Sequence, residues 1–189
     1  MCGVAGYCGT GPERDARHAL LSAMADAIAH RGPDASGIWS AEGIGLGHRR
    51  LSIVGLDDGQ QPMLSSDGRL ALSFNGEIFN YVELRDELKV RGHVFRTKSD
   101  TEVILAAYAQ WGPDCLARFN GDFAFALWDA AQRRLMLARD RMGVRPLYYT
   151  RQDGTLYFAS EIKALLTVSG IAAAFDPLAV MKETENGPR

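Results

Sequence analysis

Six consecutive apolar residues, Phe123-Ala124-Phe125-Ala126-Leu127-Trp128, constrain the fold more than any other stretch. Phe123, Phe125 and Leu127 alternate with Ala124, Ala126 and Trp128, so neither face of a strand built from them can meet water. That strand needs packing on both sides. Twenty glycines cut the rest of the chain into short apolar runs, which is the punctuation of a strand-rich protein. Strands are predicted at Val4–Tyr7, Ile38–Trp39, Ile44–His48 and Leu70–Phe74. Two hairpins follow, one turning at Asp129–Arg133 and returning over Arg134–Ala138, the other joining Leu147–Thr150 to Leu156–Ala159 around Asp153-Gly154. Leu20, Leu21, Met24 and Ile28 recur at helical spacing and predict a helix from about Asp15 to Ala29. Asn80, with Glu83 three residues on and Gly92 as the stop, predicts a second helix ending at Arg91. A third is expected after Ser99 or Asp100, with Val103, Ile104, Ala107, Tyr108 and Trp111 on its apolar face, and a short one over Glu161–Leu166. Strands cluster at both ends with helices between, an α+β pattern rather than a regular βαβ alternation.

A chain of 189 residues suits one domain, or one domain with a tail. A net charge of −2 gives no electrostatic reason to expect nucleic acid or an anionic membrane as partner. No apolar run approaches a membrane span and the N-terminus carries no signal-peptide pattern, so a cytoplasmic protein is expected. Cys2, Cys8 and Cys115 are odd in number and scattered, which argues against a disulfide framework, and no Cys or His spacing suggests a metal. Cys8 and Cys115 read as small buried hydrophobes.

Cys2 is different. Removal of Met1 would leave one residue holding both a thiol and a free α-amine, the logic of N-terminal-nucleophile catalysis. A thiol titrates near ~8.5 and an α-amine near ~7.7–8.0, so a proton can pass between them at neutral pH. Asn75-Gly76 follows a predicted strand directly. It is either a turn dipeptide or a pair of donors, amide and backbone N–H, aimed at one tetrahedral oxyanion. Arg50 is either a surface arginine or a two-pronged holder of an α-carboxylate. Asp100 is either a helix N-cap or the acceptor for a substrate ammonium, and both roles are compatible if Ser99 caps instead. His48 reads as a packing histidine more readily than as a base for Cys2.

Taken together, Met1-Cys2-Gly3, His30-Arg31-Gly32-Pro33-Asp34, Gly47-His48-Arg49-Arg50-Leu51-Ser52-Ile53, Phe74-Asn75-Gly76-Glu77-Ile78-Phe79-Asn80, Ser99-Asp100-Thr101-Glu102-Val103-Ile104, Phe123–Asp129, Ala138-Arg139-Asp140-Arg141-Met142-Gly143, Pro146-Leu147-Tyr148-Tyr149 and Ala159-Ser160-Glu161-Ile162-Lys163-Ala164-Leu165 resemble the class II glutamine amidotransferase domain, and within that class glutamine-hydrolysing asparagine synthetase. The resemblance covers about residues 2–168. It implies an N-terminal-nucleophile fold, a four-layer αββα sandwich of two antiparallel sheets. It implies L-glutamine as substrate, Cys2 as nucleophile with its own amine as base, and Asn75 and Gly76 as the oxyanion hole. It further implies Arg50 on the α-carboxylate, Asp100 on the α-amine, Glu77 beside them, and backbone groups of Leu51, Ser52, Ile53 and Val54 lining the pocket.

Phe79 stands where the family commonly has tyrosine, and Val144-Arg145 replaces a usual Ile-Lys pair. The ATP-using synthetase domain that follows in the family is not matched: there is no Ser-Gly-Gly-x-Asp-Ser type loop. The expected organisation is therefore a glutaminase domain over residues 1–168 and an irregular tail over 169–189. No cofactor is expected here, with ATP and Mg expected only on a synthetase domain or partner subunit that takes the ammonia. A homodimer is also possible on this reading. Other expectations are a non-catalytic glutamine-sensing or regulatory subunit, or an amidotransferase serving another acceptor such as a β-lactam, sugar or peptide precursor. A peptidase or acylase of the same fold is disfavoured because Arg50 and Asp100 together suit a free amino acid.

Overall fold

The computed structural model describes residues 1–10, 14–51 and 59–173. In chain order these form β1 (Gly3–Cys8), α1 (Arg14–Ala27), β2 (Ala35–Ala41), β3 (Ile44–Arg50), β4 (Met63–Leu64), β5 (Leu70–Ile78), α2 (Tyr81–Val90), α3 (Asp100–Trp111), β6 (Gly121–Asp129), β7 (Arg134–Arg139), β8 (Tyr148–Gln152), β9 (Thr155–Ala159) and α4 (Ile162–Leu165), with 3-10 turns at Ala29–Arg31 and Gly112–Arg118. One sheet has the order β2-β3-β1-β9-β8 and the other β4-β5-β6-β7, and every named strand pair is antiparallel.

Side-chain alternation assigns each strand residue to one of three apolar layers. Ala126 and Trp128 of β6 lie between the sheets with Val4, Ile44, Leu46, Ala71 and Phe158. Phe125 and Leu127 face the other way, onto Leu84, Leu88, Ile104 and Tyr108 of α2 and α3. On the far side, Ala5, Tyr7 and Tyr157 pack under Leu21, Met24 and Ile28 of α1 and under Ala164 and Leu165 beside them. Three layers of core between four layers of structure make the expected αββα sandwich. β6 is covered on both faces, as its apolar run requires.

Four local readings need correction. β5 does not stop at Asn75-Gly76: it continues to Ile78, with Asn75 opposite Ala124 and Gly76 opposite Phe123. The long ladder to β6 outweighs the turn preference of the dipeptide. Asn80 occupies the N-cap position of α2, but its side chain makes no capping hydrogen bond. Its amide donates to the Arg118 carbonyl at 3.0 Å and its carbonyl accepts from the Asn120 N–H at 2.9 Å, tying the end of β5 to the approach to β6. α1 ends at Ala27, and the chain tightens into the 3-10 turn before Gly32-Pro33. Cys8 is only half-buried, whereas Cys115 is fully buried and burial pushes its thiol up to about 12. All three cysteines are free. Among the described residues no helix is long and apolar enough to cross a membrane. Of the expected tail, residues 174–189 lie outside the described part.

Phe125 is fully buried in the helix-facing layer. Phe125→Ala should cost about 3–5 kcal/mol of unfolding free energy, measured by urea denaturation.

Candidate active site

The cleft at one end of the sandwich fixes how the two sheets align. Cys8 and Leu156 of the five-stranded sheet line that cleft with Arg134 and Leu135 of the four-stranded sheet. Cys8 pairs with Ile44, while Leu135 pairs with Trp128 and Trp128 with Ala71. The other ends of these strands therefore meet at the opposite end of the sandwich. There β1 begins, β3 ends at Arg50, and β5 ends through Asn75, Gly76, Glu77 and Ile78.

Cys2 lies one residue ahead of β1, and Gly3 pairs with Arg49, so Cys2 sits beside Arg50 and Leu51. Its Sγ is 3.8 Å from the Leu51 carbonyl oxygen. The Cys2 carbonyl accepts a hydrogen bond from Arg31 Nε at 2.9 Å. Met1 precedes it and is exposed. Arg50 is buried, and its carbonyl accepts the Asp34 N–H at 3.1 Å. A Cβ on Gly59 would come within 2.6 Å of Arg50 Nη2, so the glycine lets the guanidinium lie against the backbone.

β5 brings the remaining groups. Ser73 Oγ, on the face between the sheets, donates to the Gly47 carbonyl at 3.1 Å and lies 3.2 Å from His48 Nδ1. Asn75 has the same parity. It is buried, and among the described residues its amide nitrogen has no hydrogen-bond partner. A buried donor left unpaired is costly unless a ligand satisfies it. The Phe79 N–H donates to Asn120 and the Ala130 N–H to Arg69, which sets the phase of the β5–β6 ladder. Even-numbered residues of β5 then point their N–H groups to the opposite, open edge. On that edge Gln61 Oε1 accepts the Phe74 N–H at 2.6 Å and Asp100 Oδ2 accepts the Ile78 N–H at 3.1 Å. The Gly76 N–H is in the same row, between them. Gly76 has φ +144°, and a Cβ there would collide with the Asp122 carbonyl oxygen, so only glycine fits.

Ser99 accepts the Thr101 N–H and caps α3, which leaves the Asp100 carboxylate to face β5. Burial raises the Asp100 pKa; the Ile78 hydrogen bond opposes this, and the nearby charge of Glu77 adds to it. A buried carboxylate of this kind gains most from an incoming cation. Two groups hold the loop that presents it. Arg85 donates to the Thr97 and Ser99 carbonyls at 2.6 and 2.8 Å, and Glu102 accepts the Arg96 and Thr97 N–H groups.

Residues 1–186 match the profile of the glutamine amidotransferase domain family. The chain belongs to this family. The amidotransferase chain is 40% identical over 178 residues to asparagine synthetase (glutamine-hydrolyzing) 3 of Bacillus subtilis strain 168, covering 93% of this chain and 29% of that protein. It is 42% identical over 168 residues to asparagine synthetase (glutamine-hydrolyzing) 1 of the same organism, covering 88% and 27%. The chain thus spans under a third of the length of these curated relatives. In fold it is similar to the solved glutamine phosphoribosylpyrophosphate amidotransferase of B. subtilis, with TM-score 0.69 and 24% identity, covering 87% of this chain and 43% of that one. That neighbour has the N-terminal-nucleophile fold, and this chain shares it.

Cys2, Arg50, Leu51, Asn75, Gly76, Glu77 and Asp100 of the amidotransferase domain are thus drawn to one end of the sandwich, with Glu77 exposed. Ser52, Ile53 and Val54 lie outside the described residues. His48 is a core residue. Burial, with help from the charge of Arg50, lowers its pKa to about 3, so it stays neutral between the sheets. Sequence reasoning assigned no role to Arg31, Ser160, Glu161, Gln61 or Arg85. The first three lay inside quoted motifs, but their partners are far away in the chain.

Two outcomes follow from this geometry. Below pH 6.5 the unfolded chain takes up a proton that native His48 refuses until about pH 3. Stability should therefore fall as pH drops from 6.5, by up to about 1.4 kcal/mol per pH unit from this group. His48→Gln should flatten the slope between roughly pH 6.5 and 5 in denaturation curves. Gly76→Ala should destabilise the domain by about 1–3 kcal/mol, measured the same way, because alanine there is strained and obstructed.

Proposed function

We propose that the chain is a glutaminase, hydrolysing L-glutamine to L-glutamate and ammonia through Cys2 as an N-terminal nucleophile. The observation that carries this reading is the open edge of β5. The Gly76 N–H and the Asp100 carboxylate at Ile78 are two residues apart along it, about 6.6–6.8 Å of strand. That is comparable with the reach of an extended glutamine from its α-nitrogen to its side-chain amide. Asp100 then takes the α-ammonium, and Arg50 takes the α-carboxylate by paired hydrogen bonds.

After Met1 is removed, the Cys2 amine accepts the thiol proton. The sulfur attacks the side-chain amide carbon, a C–S bond forms, and the carbonyl electron pair moves onto oxygen. That oxyanion is met by the Asn75 amide, which has no partner among the described residues, and by the Gly76 N–H. As the intermediate collapses, the C–N bond breaks and the amine delivers its proton to the departing nitrogen, giving ammonia. Water then attacks the γ-glutamyl thioester, the C–S bond breaks, a proton returns to sulfur, and glutamate leaves.

The names of the curated relatives support an asparagine-synthetase-like setting. There the ammonia passes to an ATP-activated acceptor, aspartate, on another domain or subunit. Residues 1–189 by themselves should release one free ammonia per glutamate.

Intact mass and a coupled glutamate assay on one sample test the proposal. The active form should lack Met1, and Cys2→Ala should reduce glutamate release to background. Turnover by a sample that retains Met1 throughout would contradict the assignment of the base. Turnover by the alanine variant would remove Cys2 from the mechanism.

A further inference from the structure

We propose that Glu161 is a positioning residue for Cys2, acting through Arg31; this rests on the glutaminase reading above. Cys2 lies outside the β-ladder. The pairing of β1 with β9 ends at Ala5 opposite Ala159. Beyond that point, individual groups from the segment after β9 take over. The Val4 N–H donates to Ser160 Oγ at 2.9 Å, and the Ser160 N–H donates to the Val4 carbonyl at 2.8 Å. The next link is indirect. Arg31 donates through Nε to the Cys2 carbonyl at 2.9 Å and through Nη1 to Glu161 Oε1 at 3.0 Å. One planar guanidinium thus spans the nucleophilic residue and the carboxylate.

The burial is unequal, and this decides which partner depends on the other. The Arg31 side chain is 8% exposed and that of Glu161 25% exposed. A guanidinium so enclosed needs a counter-charge. Glu161 also takes His30 Nε2 at 2.9 Å and Lys163 Nζ at 3.1 Å. Hydrogen bonds from Arg31, Lys163 and His30 outweigh its burial and hold its pKa at about 2, so it remains an anion. Little slack exists on the other side: a Cβ on Gly3 would lie 2.8 Å from Ile28 Cδ1 and 3.5 Å from Arg31 Cδ.

A chain end is ordinarily free to fray. Once Met1 is gone, Cys2 would be such an end, and the grip on its carbonyl restrains the sulfur and the amine without touching either. Glutamine itself is held elsewhere, by Arg50 and Asp100. Loss of Glu161 should therefore lower the rate of thioester formation and leave substrate affinity in place. A misplacement on the scale of 1 Å can cost about 100-fold in rate.

The experiment uses the full chain, with Met1 removal verified by mass, and compares wild type with Glu161→Ala, Glu161→Gln, Arg31→Ala and the double variant. Glu161→Ala should lower kcat by about 10- to 100-fold, with KM for glutamine within about threefold, and should slow labelling of Cys2 by 6-diazo-5-oxo-norleucine in parallel. Glu161→Gln, which keeps an acceptor oxygen for Arg31, should recover part of the rate. In the Arg31→Ala background the Glu161→Ala loss should largely vanish. Thermal melting of each variant gives the folded fraction by which rates are corrected. An alanine variant within twofold of the wild-type kcat overturns the proposal, as does a loss confined to KM or one that persists in full without Arg31. Wild type that neither releases glutamate nor takes the label on Cys2 sinks the glutaminase reading itself. An active wild type with an unaffected Glu161→Ala sinks only the role of Glu161.

Discussion

The whole arrangement depends on the apolar layer between the two sheets. β6 and β1 both bury residues on two faces, and each can do so only if the other sheet lies opposite and a helical layer lies outside. Val4, Ile44, Leu46, Ala71, Ala126, Trp128 and Phe158 fill that inner layer, while larger clusters close the outer faces. Close packing makes the alignment of the sheets a discrete choice rather than a sliding one. That choice brings the start of β1 to the same end as the finish of β3 and β5.

Chemistry concentrates at that end for a reason that follows from β-geometry. Among the described residues the short β4 pairs with Leu72 and Ala71 alone, so along the rest of the β5 edge no strand takes the N–H groups. Side-chain acceptors from other segments take some of them: Gln61 at Phe74 and Asp100 at Ile78. The Gly76 N–H lies between these two. A polar pair inside the sandwich has a structural role instead. Ser73 links His48 to the Gly47 carbonyl, and burial holds the imidazole neutral. Asn75 differs in its place: it lies at the end of β5 beside the Gly76 N–H, and among the described residues its buried amide nitrogen has no partner.

Much of the architecture was readable locally. The hairpin at Asp153-Gly154 has both residues at positive φ, 49° and 75°, which is what that dipeptide favours between two strands. Ser99 caps α3 and so leaves Asp100 available, one of the two arrangements its sequence allows. Local signals also misled. Asn75-Gly76 has turn chemistry but lies within a strand, because nine residues of β5 find partners on β6. Asn80 has capping chemistry, yet its side chain is taken by Arg118 and Asn120.

From its sequence alone the protein's two-sided strand, its α+β class, its hairpins and the identity of Cys2, Arg50, Asn75, Gly76 and Asp100 as candidates follow, because each rests on periodicity, turn chemistry or a motif a few residues long. The tertiary structure alone decided which end of the sandwich they share, that the Gly76 N–H lies on an open strand edge, that His48 is inert, and that Glu161 reaches Cys2 through Arg31. Arg31 and Glu161 are 130 positions apart in the chain. Contacts of that separation leave no local pattern; they exist only once the sheets have stacked and burial has made a lone guanidinium intolerable.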